Sequence, residues 1–142
     1  MVNSIENYRI VFLDEPCIKP YQKYFYKTCT QITVKINHEH VRIPQNFNTD
    51  LASIPQWLWS FLPPQHAGFV MPAILHDYLY LCPANLSRKQ IDDIFYATLK
   101  KEGVSKFIAF EMWLFVRVFG EDYFNSGFIC KPKSMHLQRY DI

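Results

Sequence analysis

Residues 73–80 read Ala-Ile-Leu-His-Asp-Tyr-Leu-Tyr and set the His76 imidazole, the Asp77 carboxylate and the Tyr80 phenol into an apolar run. At about 100° per residue the three share roughly a quarter turn of a helix, while Ile74, Leu75, Tyr78 and Leu79 lie elsewhere. A stripe facing water would usually carry Lys, Glu or Gln, and this one carries none. Its ionisable groups therefore need partners, either from the protein or from the contents of a cleft. Asp50, after the last strand-like segment, and Asp92, on the following helix, are the acids able to join them.

A carboxylate bonded to one imidazole nitrogen fixes the tautomer and raises the basicity of the other nitrogen. His76 with Asp92 as orienter and Tyr80 as support thus has the composition of a general base. Asp50 and Asp77 are hard oxygen ligands that suit Ca²⁺, Mg²⁺ or Mn²⁺ rather than structural zinc. Such an ion would activate water or stabilise an oxyanion. The same residues also compose a self-satisfied polar contact between helices, with no chemistry at all. Spacing alone does not separate the two.

The elements that must hold these groups divide at about residue 48. Residues 8–13 read as a strand closed by Asp14-Glu15-Pro16. Ile32, Val34 and Ile36 alternate with Thr33 and Lys35, Asn37-His38-Glu39 supplies a hairpin loop, and Val41 and Ile43 resume the alternation before Pro44. Residues 19–26 are aromatic and basic and fit either strand or loop. Helices follow. Ser53 with Pro55 starts a short one that Pro63-Pro64 ends. The motif helix spans about residues 70–81 and is closed by Pro83. Ser87 and Gln90 form a capping box for a third, with Ile91, Ile94, Phe95 and Leu99 as its apolar face and Gly103 at its stop. Ser105 caps a fourth that runs to Gly120, apolar nearly all round and hence expected to be central. By helical phase Asp92 borders the apolar face of the third helix, whereas Asp93 points away from it and is expected in solvent.

The whole reads as one α+β domain over residues 1–142: a small antiparallel sheet from residues 1–48, about four helices over 49–120, and a polar tail over 121–142. With 49% hydrophobic and 20% charged residues the chain is globular, and 17% aromatic content gives a small domain large buried area. A net charge of +2 without a dense Lys/Arg stripe argues against nucleic acid. The longest strongly apolar stretch, residues 107–119, is interrupted by Glu111 and Arg117 and is too short to span a bilayer. Polar residues over 1–9 stand where a signal peptide would have its apolar run. Cys17, Cys29, Cys82 and Cys130 show no C-x-x-C pair and are expected as free thiols in a reducing compartment.

Other residues have plainer readings. His38 and His40 flank the hairpin turn and fit exposed turn histidines better than metal ligands. Trp57 and Phe61 share one helical face and belong to the core, leaving Trp59 as the ring expected at the surface. Glu111 and Arg117 are off one face, so each is expected to pair with another element. Ser53 is a cap rather than a nucleophile, and Cys82 is packing.

Thr49-Asp50-Leu51-Ala52-Ser53-Ile54-Pro55, then His76-Asp77-Tyr78-Leu79-Tyr80, then Ser87-Arg88 with Asp92, Ile94 and Phe95 stand in order within residues 40–120. In this the chain resembles a family of phage and prophage proteins of unknown function. Its signatures are T-D-x-A-S-I-P, H-D-x-L-Y and S-R-x-x-x-D-x-x-F. The resemblance implies a phage or prophage origin, a place in the host cytoplasm or the virion, and a shared site, but no particular reaction. The site alone is similar to that of secreted and viral phospholipases A2. That likeness implies His76 as base, Asp77 as calcium ligand, and Tyr80 and Asp92 as supports. Those enzymes use a glycine-rich calcium loop and a disulfide framework, and this chain has only four glycines, none clustered. It also resembles the H…HD…D metal phosphohydrolases through His66, His76, Asp77 and Asp92, although their signatures usually span a longer helical domain. Two functions follow as expectations. One is a hydrolase-like enzyme with a His-Asp base, with or without a divalent metal. The other is a non-catalytic virion or tail component, or an inhibitor of a host protein, in which the cluster is structural. The partner is correspondingly a small molecule, a lipid or a protein.

Overall fold

The computed structural model describes residues 5–20, 25–49, 67–83 and 85–125. Six short strands come first: β1 (Ile10–Phe12), β2 (Ile18–Pro20), β3 (Tyr26–Thr28), β4 (Ile32–Ile36), β5 (Glu39–Ile43) and β6 (Asn48–Thr49). A 3-10 turn at Ala67–Phe69 leads into α1 (Val70–Leu81), followed by α2 (Arg88–Lys101), α3 (Lys106–Phe119) and the short α4 (Glu121–Asn125). The architecture is α+β. The strands, however, make two three-stranded antiparallel sheets, ordered β1-β4-β5 and β2-β3-β6, rather than one. The helix expected from Ser53, with Trp57, Trp59 and Phe61, lies outside the described residues. Residues 121–125 are helical, where a polar tail was expected, and Phe124 packs its ring edge-on to Tyr80 at 5.3 Å.

The first sheet follows its alternation. Ile32, Val34 and Ile36 are buried, and the register Ile36↔Glu39 leaves a two-residue turn at Asn37-His38. Asn37 takes φ +56°, a left-handed conformation that Asn tolerates better than most residues. Its side-chain oxygen accepts from the Arg9 amide at 2.9 Å, tying the turn to the approach of β1. The inward faces of this sheet join Met71, Ile74, Leu75, Ile91 and Met112 in one apolar core.

The second sheet overturns the cysteine expectation. Its register sets Ile18 against Thr28, so Cys17 and Cys29 fall side by side just past the ladder, joined by a Cys29 N–H to Cys17 carbonyl bond of 2.7 Å. They form a disulfide with a Cα–Cα distance of 5.1 Å. Cys82 is also disulfide-bonded. The free-thiol reading fails for all three because it looked for local spacing, whereas strand register brings Cys17 to Cys29. Cys130 lies outside the described residues.

The three long helices stack in sequence, α2 between α1 and α3. α2 is held by the expected capping box: Ser87 Oγ accepts from the Gln90 amide at 3.1 Å and Gln90 Oε1 from the Ser87 amide at 2.9 Å. Ser105 caps α3 through the Ile108 amide. α3 is not central. It buries Ala109, Met112, Trp113 and Val116 against α2 and leaves its opposite apolar face uncovered by the described residues. Among the described residues no helix is long and apolar enough to cross a membrane.

Candidate functional site

α1 is buried on nearly every side, so any polar group it carries must be satisfied by its neighbours. His76 and Tyr80, one turn apart, both turn to α2. His76 Nε2 meets Asp92 Oδ1 at 2.7 Å, and the Tyr80 hydroxyl donates to the same oxygen at 2.6 Å. The second oxygen, Oδ2, accepts from Arg117 Nη1 on α3 at 2.7 Å and from Arg88 Nη1, one turn before it on α2, at 3.4 Å. Asp92 therefore collects four donors from three helices while fully buried. The His76 ring lies between Tyr80 and Phe95, with centroids 4.1 and 4.7 Å away.

The arginines reach further. Arg88 donates to the carbonyls of Val116 at 3.1 Å and Arg117 at 3.2 Å, capping the last turn of α3 with positive charge where the helix dipole is negative. Gly120 follows at once. A Cβ on it would stand 2.4 Å from the Val116 carbonyl, 2.5 Å from the Tyr80 hydroxyl and 3.2 Å from Arg88 Nη1. The close approach of α1, α2 and the end of α3 requires glycine here for space.

Burial would by itself push the Asp92 carboxyl up. The His76 hydrogen bond and charge, with the hydrogen bonds of Tyr80 and Arg117, hold it below the ordinary carboxylate value, so it is ionised. Burial, and then the Asp92 charge, raise the Tyr80 phenol, which stays a neutral donor. An ionised Asp92 accepts from Nε2–H of His76, which fixes the neutral tautomer with its lone pair on Nδ1.

Asp77 takes a different direction. It is half-buried, and its Oδ2 accepts from the Thr49 hydroxyl at the end of β6. The expected His76-Asp77-Tyr80 stripe is thus split, two residues facing α2 and one facing the strand next to Asp50. Asp50 and His66 lie outside the described residues, and so the Asp50–Asp77 pair and the four-residue phosphohydrolase set do as well. Among the described residues no three His, Cys, Asp or Glu side chains are arranged to hold a metal ion. His38 is exposed and His40 sits in β5 opposite Lys35.

Asp93 corrects the helical-phase reading. It is as buried as Asp92, accepting from Trp113 Nε1 at 2.9 Å, Lys89 Nζ at 2.7 Å and the Glu6 amide at 3.1 Å. The phase argument placed it opposite one apolar face, but α2 is covered on a second flank by α3 and the segment before β1. Arg88 and Gly120 were not among the expected site residues. The i,i+4 pairs Arg88–Asp92 and Lys89–Asp93 are the sequence signal that finds the first and rescues Asp93. Arg117 does pair with another element, as its position in the apolar helix implies.

A family profile described as a protein of unknown function (DUF1353) matches residues 26–116, from β3 into the last turn of α3. No curated protein and no solved structure matches the chain significantly. The chain belongs to this DUF1353 family.

Proposed function

We propose that this DUF1353 protein is a non-catalytic phage- or prophage-encoded component, of the virion or tail or acting on a host protein. In this reading the His76–Tyr80–Asp92 cluster is an internal clasp. One observation carries it: every favourable acceptor direction of Asp92 is used by protein donors, with Asp92 fully buried and His76 only 3% exposed. A carboxylate kept to activate a histidine would be spent on that histidine. Here two guanidinium groups already neutralise it, so it has little left with which to raise imidazole basicity. The three motifs resembling phage and prophage proteins support the origin.

Melting the His76→Ala protein tests the reading. A clasp loses a buried donor to Asp92 and a ring packed on Phe95, and stability falls by about 1–3 kcal/mol. A preorganised catalytic site carries strain, and the same change leaves stability unchanged or raises it.

A second reading keeps His76 as the base of a hydrolase-like enzyme, with Asp92 orienting it, Tyr80 supporting it and Asp77 with Asp50 as ligands of Ca²⁺, Mg²⁺ or Mn²⁺. It is favoured by the Nε2–Asp92 bond, which directs the lone pair to Nδ1, and by Asp77 standing at Thr49, the neighbour of Asp50. Calorimetric titration of the three ions into the wild type and Asp77→Asn decides the metal. This reading expects saturable heats in the wild type that Asp77→Asn abolishes. Negligible heats in both at millimolar ion remove it.

A further inference from the structure

The outward face of α3 has no occupant among the described residues. Phe107 is 73% exposed, Leu114 41%, Val118 61% and Phe119 63%. Phe107, Leu114 and Val118 are spaced i, i+7, i+11 and so form one stripe along the whole helix, directly opposite the buried Ala109, Met112 and Val116. Phe119 lies on its flank, its ring against Phe115 at 5.0 Å. Apolar residues scattered singly on a surface need no explanation, but a continuous stripe marks an interaction site.

The charges at its two ends identify the partner. Lys106 is exposed at the start of the stripe, with exposed Lys100 and Lys101 at the end of α2 nearby in sequence. Glu121 and Asp122 are exposed just past its other end. Among the described residues Lys106, Glu121 and Asp122 make no ion pair. Lys106 also sits at the positive end of the α3 dipole, where a cation is disfavoured, so its position does not serve its own helix. At about 100° per residue Lys106 and Glu121 fall on the same flank of the stripe. A two-fold axis across the middle of α3, lateral to the helix, reverses a second copy and keeps each flank on its own side. It would therefore set Lys106 against the partner's Glu121, and Phe107 against the partner's Val118. Glu111 lies at the edge on the other flank, where the rim of an interface stays wet. An anionic membrane would match Lys106 but meet Glu121 and Asp122 with repulsion.

We propose that the protein self-associates through α3, packed antiparallel on the α3 of a second copy across a two-fold axis. The interface is isologous, Phe107, Leu114 and Val118 forming its apolar centre and Lys106–Glu121 pairs closing both ends. It is independent of whether His76 acts as a base.

Sedimentation equilibrium of the full chain over a range of concentrations tests this. The wild type is expected to dimerise. Val118→Glu should raise the dissociation constant by about tenfold or more, because it buries an unpaired charge at the contact. Its melting temperature, measured at monomer concentrations, should match that of the wild type, since Val118 is exposed in the single chain. Lys106→Glu should weaken the dimer, and Lys106→Glu combined with Glu121→Lys should restore it. A wild type that stays monomeric overturns the proposal, as does a dimer that survives Val118→Glu. A monomer whose stability falls in Val118→Glu shows that the chain's own residues cover the face, and also overturns it. Failure of the double charge reversal to restore a weakened dimer overturns the antiparallel arrangement.

Discussion

Asp92→Ala is expected to lower stability by about 3–5 kcal/mol at neutral pH, a large part of the total for a domain of ordinary stability. The carboxylate is fully buried and accepts from His76, Tyr80, Arg88 and Arg117. Removing it leaves two guanidinium groups facing each other across the cavity without a counter-charge. It also loosens the ends of three helices at once, because α1, α2 and α3 are each joined to it. Asp92→Asn keeps the volume and two acceptor directions at Oδ1, so its loss should be smaller, though still above that of an ordinary surface change. The pH dependence separates the charge from the shape. A carboxyl held below its ordinary value contributes stability that is fully present above the unfolded value, about 3.9, and is lost as pH falls through the lower folded value. Urea midpoints of wild type and Asp92→Asn should therefore differ most at neutral pH and converge as the solution is acidified below about pH 4. A constant gap across that range would show that the charge of Asp92 contributes nothing.

The residues that declared themselves in the sequence did so through local rules. The alternation of Ile32, Val34 and Ile36, the turn at Asn37 and the Ser87–Gln90 box each depend only on neighbours a few residues away. Asp92 could be placed inward because it borders the apolar face of α2, and His76 and Tyr80 because one turn of α1 carries both. What remained hidden depends on a second contact. Asp93 is opposite that face, and only the presence of α3 and Glu6 on the other flank makes the position interior. Cys17 and Cys29 meet because β2 and β3 pair in one register, and 12 residues of sequence between them carry no such information. α3 is apolar nearly all round, which predicts a central helix. Composition has no means of distinguishing a face covered by the chain from one left for a partner. The site was thus legible as a set of residues, and less so as a geometry. The expected stripe divides at Asp77, because Thr49 offers its hydroxyl from the strand side.

Gly120→Ala tests the clasp from its least conspicuous member, and intrinsic propensity argues for the opposite result. Gly120 has φ −81° and ψ −11°, a right-handed conformation in which alanine is unstrained. At an exposed helical position such a change stabilises by up to about 1 kcal/mol. Here the added methyl group would enter occupied space, 2.4 Å from the Val116 carbonyl oxygen and 2.5 Å from the Tyr80 hydroxyl. The carbonyl cannot yield cheaply, because it accepts from the Gly120 amide at 2.8 Å and from Arg88 at 3.1 Å. Displacing Tyr80 instead breaks its 2.6 Å bond to Asp92 and disturbs its ring contact with Phe124. Overpacking of about 1–3 kcal/mol and a lost buried hydrogen bond of about 1–3 kcal/mol together outweigh the propensity gain. The expected net loss is about 2–4 kcal/mol, read from urea unfolding. Tyr80→Phe removes one of the two atoms the methyl group meets, so in the double mutant the two losses should fall short of their sum by about 0.5–3 kcal/mol. Strict additivity would mean that Gly120 and the Tyr80 hydroxyl do not compete for the same space, and the clasp would then not close at that point.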